Sequence, residues 1–249
     1  MSYKTTSPKR HRRNGWFTGI LLLLVLNLPV SIVPAAENTD LQKGLSAYQQ
    51  RDFDQAWRYL EPLAKQGNSE AQRKLGVMYR HGLGVQQNDE LAIKWYRKAA
   101  EGGHVRAQNS LGIMYRFGMG VDRDVLEAAK WLTAAAEQGD AKAQENIALM
   151  YLDGDGVEQS DHQAVVWLTK AADQGQMKAQ LTLGLMTLAG RGTAASQEQG
   201  MDWIMRSANR GYRPAAEALA KAYAEGLYGL EKDLQSARYW YRKAGKTFK

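Results

Sequence analysis

Between Ala71 and Arg80 the apolar residues Ala71, Leu75, Met78 and Tyr79 fall at spacings of 4, 3 and 1. At 3.6 residues per turn these positions make one stripe, so the segment is predicted to be an amphipathic helix with one buried side. Two glycines, Gly82 and Gly84, then break the pattern. Glycine enters the left-handed conformation that ends helices, and the chain is predicted to turn there. Asn88-Asp89 can cap a second helix, on which Ala92, Trp95 and Ala99 form the apolar side before Gly103 ends it.

The series then recurs. Ala71-Gln72, Ala107-Gln108, Ala143-Gln144, Ala179-Gln180 and Ala215-Ala216 follow one another every 36 residues. Glycine pairs return at Gly118/Gly120, Gly154/Gly156 and Gly190/Gly192. Such a period marks stacked supersecondary units, each unable to bury its apolar side alone. Alanines alternating with Trp and Tyr suit helices that approach closely, large rings filling the space beside small residues. The column Met78, Met114, Met150, Met186 is invariant across the period and is assigned to the core rather than to a ligand groove.

Residues 37–68 form a different first unit, in which Gly44, Tyr48, Asp52-Phe53, Ala56 and Leu60 resemble a tetratricopeptide repeat. Gly44 lies 32 residues before Gly76 rather than 36, and the shortfall is placed in the turn. In the repeats proper, Leu111 to Val121 reads L-G-x-M-Y-x-x-G-x-G-V, and Asp124 to Ala136 reads D-x-x-x-A-x-x-W-x-x-x-A-A. On these motifs the region from Ser69 to Gly245 resembles the Sel-1-like repeat family, relatives of the tetratricopeptide repeats. The resemblance implies an all-α, right-handed α-solenoid of tandem antiparallel helix pairs. Five Sel-1-like repeats would occupy 69–249, after the tetratricopeptide-like pair at 37–68. It also implies a non-enzymatic adaptor that binds a protein or peptide in its concave groove. Some cysteine-rich relatives are linked to β-lactam compounds, so an envelope enzyme or binding protein acting on cell-wall or β-lactam compounds is the alternative. This chain has no cysteine, and the disulfide staples of those relatives are missing.

Residues 1–36 follow another pattern: Lys4, Lys9, Arg10, Arg12 and Arg13 precede an apolar run from Trp16 to Val33. That is the layout of a secretion signal, with cleavage expected after Ala35 or Ala36. Retained, the run would be an inner-membrane anchor, although at 18 residues, interrupted by Asn27 and Pro29, it is short for a span. Arg12-Arg13 is followed by Asn14-Gly15-Trp16, a poor match to a twin-arginine signal. The expected location is therefore exported, periplasmic or secreted, or else tethered to the inner membrane.

Charge changes the picture only after it is divided. Taking the leader's five positive charges from the formal net charge of +7 leaves +2 for the remainder, so nucleic acid is not an expected partner.

Candidate chemistry is thin. Each Gly-x-Gly lies between two helices, where no phosphate loop would sit. Asp153-Gly154-Asp155-Gly156 lacks the glycine and bidentate acid of a calcium loop, since Glu158 and Ala164 stand there. His81, His104 and His162 are not at metal-ligand spacing, and no serine carries an activating motif. No catalytic residue, cofactor or obligate metal is expected.

Repeat proteins spend constant positions on stacking and vary the first-helix positions that meet a partner. Those columns begin basic, with Arg73, Lys74, Arg80 and His81, then Asn109, Arg116 and Phe117. They continue through Glu145, Asn146 and Asp153 and an apolar patch at Leu181 and Leu188, and end acidic at Glu217 and Glu225. A partner segment is expected with its acidic part beside Arg73, Lys74, Arg80 and Arg116 and an apolar anchor near Leu181 and Leu188. The fourth repeat departs from the pattern at Thr187, Thr193 and Gly200, and looser packing is expected there. The basic end of the array, Arg242, Lys243, Lys246 and Lys249, is read as a polar cap, with lipid attachment the sharper alternative.

Overall fold

The computed structural model describes residues 35–247, with side chains from Thr39 onward. Residues 1–34 of the expected leader lie outside the described residues, as does Lys249, while the expected cleavage positions after Ala35 or Ala36 fall at the start of the first helix. Twelve α-helices occupy the described residues. They are α1 (Ala35–Gln49), α2 (Phe53–Lys65), α3 (Ser69–His81), α4 (Asp89–Glu101), α5 (Val105–Phe117) and α6 (Val125–Glu137), then α7 (Ala141–Asp153), α8 (Asp161–Asp173), α9 (Met177–Ala189), α10 (Gln197–Asn209), α11 (Arg213–Glu225) and α12 (Leu234–Lys243). Successive helices pair as hairpins, and the second, or B, helix of each pair packs on the first, or A, helix of the next. The result is an α-solenoid.

The two predicted glycines do different work. Gly82 is the left-handed C-cap of α3, and its amide and that of Leu83 both donate to the Met78 carbonyl. Gly84 and its counterparts allow contact between repeats. A Cβ on Gly120 would lie 2.4 Å from the Asp89 Cβ, and one on Gly156 would lie 2.1 Å from the Val125 carbonyl oxygen. Each second glycine thus seats on the first turn of the preceding B helix. The hairpin closes where the B-helix cap donates its amide to the A helix, as from Asn88 to Tyr79 at 2.8 Å and from Asp124 to Tyr115 at 2.9 Å.

Within each hairpin a small A-helix residue faces a large B-helix one: Gly44 meets Leu60, Gly76 meets Tyr96 and Gly112 meets Leu132. The methionine column is core, with Met78, Met114 and Met150 fully buried and Met186 nearly so. The fourth repeat is not loosened. A Cβ on Gly200 would sit 2.6 Å from Leu188 Cγ, so Leu188 fills the space that alanine occupies elsewhere. Thr187 is buried, and its hydroxyl donates to the Leu183 carbonyl at 2.8 Å, meeting its polar need without a ring.

The Ala-Gln pairs also acquire a reason. Gln72, Gln108, Gln144 and Gln180 are buried, and each Nε2 donates to a carbonyl eight residues back, at Ala64, Ala100, Ala136 and Ala172. Those are orphan carbonyls in the last turns of the preceding B helices, so one amide joins each of α2, α4, α6 and α8 to the next A helix, while Ala216 stands at the position on α11.

Candidate protein-binding surface

On an A helix the buried positions of α3, Ala71, Gln72, Leu75, Gly76 and Met78, cover one side. Helical geometry then turns Glu70, Arg73, Lys74, Val77 and His81 the other way. Repeating these positions every 36 residues makes a continuous A-helix face. A hollow of about 530 Å³ in it is lined by Arg73 of α3, Arg106, Asn109 and Ser110 of α5, Lys142 of α7 and Gln176 before α9.

Much of the charge read from sequence is satisfied inside the array. Arg116 is almost buried: its Nε donates to Asp155 at 3.0 Å and its NH2 to Asp153 at 2.8 Å. The expectation that Arg116 greets an acidic partner is corrected, because neighbouring carboxylates already hold it. Asp153 is spent in the same bond. Asn146 donates to Asn109 at 3.0 Å, Lys178 approaches Glu145 at 3.6 Å and Lys246 pairs with Glu217. Leu181 and Leu188 are half-buried against the core cluster built by α10, α11 and α12, and Leu188 also lies against Gly200 of its own hairpin, so neither stands out as an anchor.

Arg73 holds Glu70 through two hydrogen bonds, at 2.7 and 2.9 Å. His104 Nε2 approaches the same carboxylate at 2.7 Å while its Nδ1 accepts the Ala107 amide at 3.4 Å, capping α5. Burial alone would raise the Glu70 pKa, but the hydrogen bonds and charges of Arg73 and His104 outweigh it and hold the carboxyl at about 2. Glu145 is the opposite case. Its burial pushes the pKa up against the pull of Lys178 and Lys142.

The residues left available differ from those read in the sequence. Lys74 lies 4.1 Å from the Tyr48 ring centroid and Arg80 donates to Met119 Sδ at 3.6 Å. His81, Phe117 and Glu225 are exposed. Two columns of the face escaped the sequence reading. Val77, Ile113, Leu149 and Leu185 form an apolar ridge along successive A helices, with Leu185 42% exposed. Beside it run Arg106, Lys142 and Lys178, all exposed. The signal was present as a 36-residue recurrence, but these positions lie off the stripe that defines the core.

Among the described residues no group of three or more His, Cys, Asp or Glu could hold a metal ion. Fold and surface define a helical-repeat protein of the solenoid class, built to present one long face.

The Sel1 repeat profile matches residues 41–68, 69–104, 105–140, 141–176, 178–212 and 213–246. The chain belongs to the Sel1 repeat family, whose members generally mediate protein–protein interaction. The first of these matches falls on the N-terminal helix pair, so the profile counts six repeats where the sequence motifs gave five after a first unit. A Sel1 repeat protein from Oxalobacter formigenes is 33% identical, with a TM-score of 0.77 over 84% of this chain and 86% of that one. A protective antigen of uropathogenic Escherichia coli strains, displaying an SLR fold, is also 33% identical, with a TM-score of 0.78. That match covers 84% of this chain and 45% of the antigen. Comparison with curated proteins found no match.

Proposed function

We propose that this protein is a non-enzymatic scaffold of the bacterial cell envelope that holds a segment of a partner protein along its A-helix face. The ridge Val77, Ile113, Leu149, Leu185 carries the reading. It places one apolar side chain at the same A-helix position in four successive repeats, half-buried at Val77, Ile113 and Leu149 and exposed at Leu185, where Met186 beside it is buried. A regular apolar row flanked by polar columns is what an extended or helical peptide needs for anchorage. The leader supports an envelope location, either released after cleavage or held at the inner membrane by the apolar segment.

Two measurements test this. A photocrosslinking amino acid at Leu185 in living cells is expected to trap a discrete protein partner, whereas the same probe at exposed Glu101, on a B helix, traps none. Equal labelling from both positions would defeat the A-face assignment. Protease accessibility after outer-membrane permeabilisation is expected to show the repeats outside the inner membrane, and protection until the cytoplasm is opened would defeat the envelope assignment.

A further inference from the structure

Four cations at one end of the A-helix face, Lys74, Arg80, Arg106 and Lys142, form no ion pair with a carboxylate among the described residues. The carboxylates around them are committed. Glu70 is taken by Arg73 and His104, Asp140 accepts the Ala143 amide as the cap of α7, and Glu145 leans to Lys178. The excess charge is crowded: burial first, then Arg73 and Arg106, hold the Lys74 amine below its ordinary pKa. The hollow is lined by Arg106 and Lys142, whose donors pair with no carboxylate, and by Asp140, whose carboxylate caps α7, so its cations outnumber its anions.

Further along the face Lys178 is held by Glu145 and Lys246 by Glu217, and Glu225 stands exposed. A nucleic acid carries a phosphate at every nucleotide and would run on from the hollow onto cations already paired with carboxylates and onto Glu225. A peptide can confine its acid to one end. The ridge through Ile113, Leu149 and Leu185 leads away from the hollow. Adjacent helices lie about 10 Å apart, the reach of roughly three residues of extended chain.

We propose that the hollow between α3, α5 and α7 receives the Asp or Glu side chains at one end of an extended partner segment, whose apolar residues, about three apart, then follow Ile113, Leu149 and Leu185. This rests on the scaffold reading above and gives the partner a composition and an orientation.

The test is fluorescence anisotropy of the full-length protein in mild detergent. The probe is a labelled peptide with a short run of Glu followed by Leu at every third position. Binding is expected to weaken with added salt and to fall about tenfold or more in the double variant Arg106→Glu/Lys142→Glu. Both side chains are exposed, so circular dichroism should show the fold unchanged. Lys221→Glu, on the same face at the acidic end, is expected to change affinity less than about twofold. Replacing the Glu run with Gln should weaken binding as the double variant does. Equal affinity of wild type and double variant overturns the proposal, as does tighter binding of a poly-thymidine oligonucleotide or of phosphatidylglycerol vesicles. If Leu185 traps a protein in cells while peptide affinity ignores these charges, the scaffold stands and the acidic partner falls. If neither occurs, both fall.

Discussion

Gln174 donates from Nε2 to Gln144 Oε1 at 2.8 Å and also reaches the Gly139 carbonyl at 3.1 Å. The bond repeats one unit earlier, where Gln138 donates to Gln108 Oε1 at 2.7 Å. Gln108 and Gln144 are thereby satisfied at both ends, the amide nitrogen by a carbonyl of the preceding B helix and the oxygen by the residue that ends the B helix of its own hairpin. One unit later Arg210 stands in place of Gln138 and Gln174. It keeps the carbonyl contact, donating to Gly175 at 2.7 Å, but leaves Gln180 Oε1 buried without a partner.

Arg210→Gln should therefore stabilise the array, since it can restore the missing donor while keeping the Gly175 contact, as Gln174 does with Gly139. A buried acceptor gaining a bond contributes about 1 kcal/mol, which raises Tm by roughly 2 to 4 °C in a chain of this size. Thermal unfolding followed by circular dichroism reads this directly, and an unchanged or lowered Tm contradicts it.

Two glycines with positive φ separate backbone freedom from close approach. Gly139, at φ +92, has nothing within 4 Å of an added Cβ, while Gly156, at φ +77, would place one 2.1 Å from the Val125 carbonyl oxygen. Gly139→Ala should cost about 1 kcal/mol from conformation alone. Gly156→Ala adds a clash with backbone that cannot rotate away and should cost more than about 3 kcal/mol, with repeats parting at that joint. Urea unfolding of the two variants compares them, and equal midpoints would mean that the second glycine serves only as a turn.

Acid should weaken the joint between the second and third repeats. The Glu70 carboxyl is held down to about 2 in the folded state, so its contribution is present above its ordinary pKa and is lost as pH falls from about 4.5 to about 2. The Glu70 side chain is 31% exposed, so screening reduces the effect to about 1 kcal/mol. Glu70→Gln should lower Tm at pH 7 and leave it unchanged near pH 2, and a pH-independent loss would point to packing instead.

Glu145 is expected to behave in the opposite way. Burial raises its pKa, so the folded chain favours its protonated form, and above the ordinary carboxylate range its charge works against folding. Glu145→Gln should raise Tm slightly at pH 8, and the gain should vanish near pH 4, where both states of the wild-type chain bind the proton. A loss of stability at pH 8 would show that the Lys178 pair outweighs the burial.

What was legible in the sequence is what local chemistry controls. Gly82 and Gly84 announced the turn, Asn88 and Asp124 the caps, and the 36-residue period the stacking. What was not legible depends on distance across the array. That Arg116 would meet Asp153 and Asp155 needs the rise and rotation from one repeat to the next, which no spacing states. Gln72 reads as a polar intruder on an apolar stripe until the Ala64 carbonyl is seen beside it. Leu181 and Leu188 seemed free because they are off the stripe that defines the core, yet both pack against the cluster built by α10, α11 and α12. The same error in reverse hid Leu149 and Leu185, the first half-buried and the second exposed.

Those residues allow binding to be separated from folding. Leu185 is exposed and its A-helix neighbour Met186 is core, so substitutions at the two positions should part company. Leu185→Asp should leave the unfolding free energy within about 1 kcal/mol of wild type, since the residue is exposed and outside the core. It should also weaken partner capture by about tenfold or more, because it sets an uncompensated charge on the anchoring ridge. Met186→Ala should do the reverse at first, costing about 2 to 5 kcal/mol through the cavity it opens while leaving the face intact. Crosslinked capture at 25 °C, where a destabilised array is still folded, distinguishes them. If Leu185→Asp captures as well as wild type, the ridge is merely solvated surface, and the partner must be sought on the B-helix side.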